Sequence, residues 1–170
     1  MSLYRLECSM VVPRPLEDVF SIYELPLNLA RITPTWLRFT IAGNEEVLMR
    51  EGARINYTIR WLGLPMRWRT HITAYDPPHR FVDEQERGPY AYWKHTHTFE
   101  ELPEGVLVAD SVDYRLPLGP FGRLAHSLAV GKQLIAIFRY RQSAIARIFD
   151  VPLVERRAPA ISRVRAHTSI

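Results

Sequence analysis

Residues 90–116, YAYWKHTHTFEELPEGVLVADSVDYRL, decide the fold of this 170-residue chain. Two runs of alternating apolar and polar residues flank Pro103-Glu104-Gly105, and this pattern predicts an antiparallel hairpin. Because successive side chains of a strand point to opposite faces, four residues of the first run share one face. They are Trp93, His95, His97 and Phe99. The second run places Asp110 and Tyr114 on the same face as its valines.

The register of this hairpin pairs a histidine with an aspartate. A two-residue turn at Pro103-Glu104 places His97 opposite Asp110, and an aspartate among valines needs a polar partner. The same turn sets Phe99 opposite Val108 and His95 opposite Val112. On the preceding strand, Phe81, Asp83 and Gln85 share a face that we expect to point inward, although a slip of one residue would reverse it.

The rest of the chain predicts an α+β fold. Further strands are expected at 3–12, 36–42, 54–62, 66–75 and 80–87, and short helices at 15–24 and 27–32, after the first strand. Residues 121–149 contain no proline and predict one long helix. Its expected apolar stripe contains Leu124, Leu128, Ile135 and Phe138. The expected architecture is a seven-stranded curved antiparallel sheet wrapped around this C-terminal helix.

Composition and charge limit the function classes. Residues 1–150 are expected to form one domain, and residues 151–170 a basic, flexible C-terminal tail. The formal charge of +4 comes from the last fifty residues, so it is not evidence that the body of the fold binds nucleic acid. The single cysteine, Cys8, excludes an internal disulfide. No transmembrane run or signal peptide is evident, which favours a cytoplasmic protein.

Several segments resemble the SRPBCC superfamily, which contains START lipid-transfer domains, polyketide cyclases and birch-pollen-allergen-like ligand binders. The segments are PLEDVF at 15–20, ITPTWL at 32–37, DPPHRF at 76–81, GPY at 88–90 before Trp93 and His95, and YRLPLG at 114–119. The sequence is most similar to bacterial cyclase/dehydrase-like members, including those associated with carbon monoxide dehydrogenase. This resemblance implies a helix-grip fold. It leaves function open, because carriers, enzymes and regulators share that scaffold.

The inward faces of the sheet and helix define the expected ligand site. It comprises Trp68, Phe81, Asp83, Gln85, Trp93, His95, His97, Phe99, Asp110, Tyr114, Leu128, Ile135 and Phe138. Three interpretations of its polar residues compete: a cluster that stabilises the sheet, groups that orient a ligand, or a reactive site. If the site is reactive, His95, His97 and Asp110 are the candidate catalytic residues.

The favoured function is binding or transport of a small hydrophobic molecule, such as a lipid, polyketide, quinone or aromatic compound. One alternative is a cyclase, aromatase or dehydratase that uses a His–Asp pair; whether the chain is an enzyme stays open. A second alternative is an accessory protein that contacts a membrane or an enzyme through its basic C-terminal region. No cofactor, no tightly bound metal and no nucleic-acid partner are expected, because His-x-His on a strand is a weak metal signal.

Overall fold

The structure, a computed structural model, describes residues 2–42, 48–61 and 63–164. Within these residues one antiparallel sheet contains eight strands in the order β2-β3-β4-β5-β6-β7-β1-β8. They are β1 (Leu3–Val12), β2 (Thr40–Ile41), β3 (Arg54–Trp61), β4 (Leu64–Asp76), β5 (Arg80–Arg87), β6 (Tyr92–Leu102), β7 (Gly105–Arg115) and β8 (Val154–Val164). Residue 62, which the sequence assigned to a strand end, lies outside this description. The α+β class and the long C-terminal helix are confirmed.

The β6–β7 hairpin has the expected register. His97 lies opposite Asp110, and His95 lies opposite Val112. Gly105 follows the turn with φ of 133°, a conformation that favours glycine, and a Cβ there would lie 2.3 Å from the carbonyl oxygen of Val12. The hairpin and β1 therefore pack too closely at this point for any side chain. On β5, Asp83 pairs with His95, so the inward orientation of that strand is also confirmed.

The segment after β1 contains one α-helix and two 3₁₀ turns. Helix α1 (Leu16–Glu24) begins after Pro15 and carries Glu17 and Asp18 in its first turn, where they favour the positive end of the helix dipole. The 3₁₀ turns span Pro26–Ala30 and Thr35–Leu37. The strand expected at 36–42 is reduced to Thr40–Ile41, because Arg38 takes a left-handed conformation with φ of 44°.

The C-terminal helix contains a π-turn that changes its buried stripe. Helix α2 (Gly119–Ala125) continues through the π-turn His126–Val130 into α3 (Gly131–Ile148). A π-turn adds one residue to the turn and rotates the residues before it relative to those after it. Leu124 and Leu128 are consequently 57% and 66% exposed rather than buried.

The stripe that faces the sheet therefore differs from the expected one. Leu134 and Phe138 are buried. Ile135, which was expected in the stripe, follows Leu134 in the helix and is only half-buried. The C-terminal half of α3 packs directly on the sheet and α1. There, Ala144 and Ile145 join a core cluster with Phe20.

The expectation of a flexible tail is wrong for residues 154–164. They form β8, which pairs with β1 on the side opposite β7 and extends the expected seven-stranded sheet. β8 was missed because its side chains are mostly exposed and do not alternate in polarity. Its order comes from backbone pairing with the otherwise open edge of β1. The sheet of the domain thus extends beyond residue 150, while residues 165–170 lie outside the described part.

Two basic residues of this strand have acidic partners. Arg157 lies 2.9 Å from Glu7, and Arg156 pairs with Glu104. These ion pairs reduce the positive charge that the former tail offers to an anionic surface. In the described residues, no helix is both long enough and apolar enough to cross a membrane.

Truncation after Pro152 is expected to destabilise the domain by at least about 2 kcal/mol, because it removes the backbone hydrogen bonds between β8 and β1. The free energy of unfolding from urea titrations measures this loss. The control Arg156→Gln/Arg157→Gln removes only exposed ion pairs and should cost less than about 1 kcal/mol. A truncated protein as stable as the full chain would contradict a structural role for β8.

Candidate functional site

An inner cavity of about 150 Å³ lies between the N-terminal half of α3 and the sheet. Much of its wall is aromatic or aliphatic, including Ile55, Ile59, Trp68, Trp93, Leu134 and Phe138. Polar side chains form another part of the wall: Tyr23, Thr70, Asp83, His95, His97 and Arg141. The cavity therefore offers an apolar body and one polar side to any molecule that fills it.

Two imidazoles and two carboxylates form a closed cluster beside this cavity. His95 and His97 lie two residues apart on β6, with ring centroids 3.7 Å from each other. His97 Nε2 lies 3.0 Å from Asp83 Oδ2, and His95 Nε2 lies 2.9 Å from Asp110 Oδ1. The other ring nitrogens complete the cluster: His95 Nδ1 is 3.5 Å from Asp83 Oδ2, and His97 Nδ1 is 3.0 Å from Asp110 Oδ1. Each imidazole thus spans both carboxylates.

The two histidines of this cluster differ in charge. Burial, together with the neighbouring His97, lowers the pKa of His95 to about 4. Burial also disfavours a charged His97, but its contacts with Asp110 and Asp83 outweigh burial and raise its pKa. At neutral pH, His95 is therefore the neutral ring, and His97 holds a proton more firmly than an ordinary histidine.

The carboxylates are held in the ionised form. For Asp110, burial favours the neutral acid, but contacts with His95 and His97 outweigh it and lower the pKa well below the usual range. Asp83 has a lowered pKa for the same balance of reasons. The Cys8 thiol, 3.8 Å from Asp110 Oδ2, has a raised pKa because of its burial and this aspartate, so it stays protonated.

The structure brings seven of the expected ligand residues to the inner cavity. They are Trp68, Phe81, Asp83, Trp93, His95, His97 and Phe138. Asp110, a candidate catalytic residue, is not among the lining residues; it contacts the cavity histidines instead.

Five expected ligand residues lie elsewhere. Phe99 packs against Phe20 and Tyr23 in the core between α1 and the sheet. Tyr114 bonds through its hydroxyl to His126 of the π-turn at 2.7 Å. Gln85 holds the backbone of Tyr90 through both of its amide atoms. Leu128 and Ile135 do not line the cavity, because the buried stripe of the C-terminal helix contains Leu134 and Phe138 instead.

Sequence reasoning missed Tyr23, Leu134, Ile137 and Arg141, all of which line the inner cavity. Leu134, Phe138 and Arg141 follow one another at spacings of four and three, which places them on one face of α3. The position of Arg141 on the same helix face as two apolar residues could have indicated that it lies at the cavity. Tyr23 offered no comparable signal, because its position depends on how α1 packs on the sheet.

An outer cavity of about 270 Å³ adjoins the inner one. The two share six wall residues: Leu37, Ile59, Trp68, Tyr90, Leu134 and Ile137. The outer cavity extends along α2, where Phe121 and Leu118 are 76% and 74% exposed. Apolar side chains therefore lead from the protein surface towards the polar cluster.

Three residues of the cluster could in principle hold a metal ion. Asp83, His95 and His97 each offer a ligand atom, and these atoms lie within 4.8 Å of one another. A cation there would have to displace the hydrogen bond between His97 and Asp83, and it would lie near the guanidinium of Arg141, which also lines the cavity. The absence of a tightly bound metal stays a prediction.

Acidification is expected to destabilise the protein through His95. In the unfolded chain this histidine takes up a proton near pH 6.5, whereas in the folded chain it does so only near pH 4. The contribution of neutral His95 to the free energy of unfolding is fully present above pH 6.5. It is lost as the pH falls towards 4, and the total loss is about 3 kcal/mol.

The free energy of unfolding, measured by denaturant titration between pH 7 and pH 4.5, tests this. His95→Gln should make the free energy of unfolding depend less on pH, whereas the exposed control His79→Gln should leave this pH dependence unchanged. An equal slope in all three proteins would contradict the neutral state of His95.

Comparison with known proteins agrees with this architecture. The family model described as polyketide cyclase/dehydrase and lipid transport matches residues 12–138. No curated protein matches the sequence. Among solved structures, protein CV1439 from Chromobacterium violaceum has a TM-score of 0.66 at 14% identity, with coverage of 87% of this chain and 98% of that one.

Two further structures are similar at low identity. TTHA0849 from Thermus thermophilus has a TM-score of 0.63 at 18% identity and covers 85% of this chain and 96% of its own. A START superfamily protein from Mycobacterium smegmatis has a TM-score of 0.59 at 16% identity, with coverage of 85% and 99%. At such identities these structures show the fold alone. Since the family model spans most of the sequence, the chain belongs to the polyketide cyclase/dehydrase and lipid transport family.

Proposed function

We propose that this protein binds a small, largely apolar molecule that extends across the inner and outer cavities. The observation that carries the proposal is their shared wall, in which Trp68, Leu134 and Ile137 border both spaces. Together the cavities fall within the roughly 300–1,000 Å³ typical of small-ligand sites. An aromatic, polyketide, lipid or quinone ligand of one or two rings matches this size.

The energetics favour binding by apolar contact. A ligand that buries about 300 Å² of apolar surface gains roughly 7 kcal/mol at about 25 cal/mol per Å². Association costs remove several kcal/mol of this gain. A hydrogen bond adds about 1 kcal/mol and selects orientation. The expected result is affinity near the micromolar range, which suits a carrier that must also release its ligand.

A second function, proton transfer to the bound ligand, is favoured by one observation. His97 lines the inner cavity and is hydrogen-bonded to Asp83, which is the arrangement of a general acid or base oriented by a carboxylate. A cyclase, aromatase or dehydratase would need such a group next to an enolisable carbonyl. We place this function second because both ring nitrogens of His97 lie 3.0 Å from a carboxylate oxygen, so the ring must move before it can reach a ligand.

Two finer expectations remain predictions. The former tail could contact a membrane or an enzyme, but the ion pairs of Arg156 and Arg157 weaken that idea, which now depends on exposed residues such as Arg163. Association with carbon monoxide dehydrogenase depends on the sequence resemblance, and none of the matches described above involves that enzyme.

Blocking the shared wall should abolish ligand binding. Ile137→Phe narrows both cavities, so the affinity for an anilinonaphthalene sulfonate probe, measured by fluorescence titration, is expected to fall at least about tenfold. Ile135→Phe makes the same exchange two residues away, at a position that lines neither cavity, and should keep the affinity. Circular dichroism checks that both variants fold. Equal probe affinity in both variants would contradict binding in these cavities.

Proton transfer can be tested with a ketone probe. His97 can act as a base only in its neutral form, so the protein should accelerate deuterium exchange at the methyl group of 2-acetonaphthone in heavy water increasingly as the pH rises above the raised pKa of His97, as followed by NMR. His97→Gln should return the rate to that of buffer, whereas the exposed control His79→Gln should not. An exchange rate in the native protein equal to that of buffer would eliminate the catalytic alternative and leave the binding function in place.

A further inference from the structure

Two residues that line the inner cavity carry buried hydrogen-bond donors with no partner among the described residues. Arg141 extends from α3 into the cavity with its side chain 11% exposed. Among the residues that the structure describes, none accepts a hydrogen bond from its Nε or Nη1. The nearest carboxylate oxygen, on Asp110, lies 3.9 Å from Nη1, beyond hydrogen-bond range.

A second unpartnered donor lies in the same cavity. Tyr23 of α1 is 4% exposed, and within the described residues its hydroxyl has no hydrogen-bond partner. Its ring contacts that of His97 edge-on, with centroids 5.8 Å apart, so it lies beside the polar cluster. Burial, followed by the charge of Asp110, raises the pKa of Tyr23 well above its usual value, and the hydroxyl therefore stays protonated and able to donate.

Unpartnered buried donors are costly. Each lost hydrogen bond leaves a desolvated polar group, and a guanidinium is costlier than a neutral group because it is always charged. Within the cluster, His95 bonds to Asp110 and His97 to Asp83, while Nδ1 of His97 lies 3.0 Å from Asp110 Oδ1 without a hydrogen bond. Arg141 and Tyr23 take no part in these hydrogen bonds. The acceptor that satisfies them has to come from whatever fills the cavity.

We propose that Arg141 and Tyr23 together bind an oxygen acceptor, a carbonyl or a carboxylate, at the inner end of the apolar ligand. This inference rests on the proposed binding function and specifies the class of ligand. The oxygen lies at the polar side of the inner cavity, and the hydrocarbon part extends along Trp68 and Leu134 into the outer cavity. The ligand is thus amphipathic, with one oxygen-bearing end and an apolar body.

The surrounding charges do not decide between the two kinds of acceptor. Asp83 and Asp110 are negative and Arg141 is positive, and His97, whose pKa is raised, brings these charges into balance when it is protonated. A ketone or ester keeps this balance, whereas a carboxylate forms the stronger, charge-assisted bonds with arginine. The choice between them is therefore left to experiment.

Three probes with one hydrocarbon frame separate these possibilities. They are 2-ethylnaphthalene, which has no acceptor, 2-acetonaphthone, which has a ketone, and 2-naphthoate, which has a carboxylate. Their affinities are measured by displacement of the fluorescent probe used above. We expect one or both oxygen-bearing probes to bind the native protein about 10- to 100-fold more tightly than 2-ethylnaphthalene.

Variants assign this preference to the two residues. Arg141→Gln should remove most of it, and Arg141→Lys should restore part, because lysine keeps the charge but not the planar set of donors. Arg139→Gln, at an exposed position of the same helix, is the matched control and should keep the preference. Tyr23→Phe should reduce the preference severalfold without lowering the thermal midpoint, because it removes a hydroxyl to which no described residue bonds.

The outcomes separate this inference from the function on which it rests. If all three probes bind the native protein equally, or if Arg141→Gln keeps the preference while folded, the inference is overturned and apolar binding stands. If no probe binds the native protein, the binding function itself fails. Preference for the ketone or for the carboxylate supports the inference in either case and identifies the acceptor.

Discussion

The architecture depends on one constraint: in the described part of the chain, a single long helix has to cover the apolar face of a much wider sheet. Helix α3 is about 27 Å long and 10 Å wide. The sheet, at about 4.8 Å per strand, is about 34 Å wide. Helix α1 covers one further region near Phe81 and Phe99. The cavities occupy space under the N-terminal half of α3, where Leu134 and Ile137 face Trp68 across a gap.

The polar cluster shows how charge is tolerated beneath such a helix. A buried ion is acceptable when opposite charges and hydrogen bonds replace its water, and His95 and His97 provide these for Asp83 and Asp110. All four side chains come from three adjacent strands, β5 to β7, so sheet pairing alone sets their separations. Arg141 comes from the helix instead, and its Nε and Nη1 have no acceptor in the part of the chain that the structure describes. This contrast, more than the presence of charge, supports the proposal that Arg141 meets a ligand.

The division between the two cavities is consistent with the amphipathic ligand proposed above. The inner space combines aromatic walls with ionisable groups, and the outer space is bordered mainly by apolar residues of β4, α2, α3 and the segment before α2. The π-turn at His126 contributes to this arrangement, since it moves Leu124 and Leu128 out of the buried stripe and leaves Phe121 exposed next to the outer cavity. Stacking of His126 on Tyr4 and its bond to Tyr114 hold the turn against the sheet.

The sequence by itself determined the features that depend on neighbouring residues. Alternation along β6 and β7, with a two-residue turn between them, was enough to place His97 opposite Asp110 and to turn both histidines inward. Only the tertiary structure decided the features that depend on distant partners. β8 exists because β1 has a free edge, and its exposed side chains carry no periodic signal. The stripe of α3 depends on a π-turn that packing against β1 and β7 stabilises. The roles proposed for Arg141 and Tyr23 depend on which polar groups remain unbonded among the described residues, and a pattern along the chain cannot show this because hydrogen-bond partners come from elsewhere in the fold.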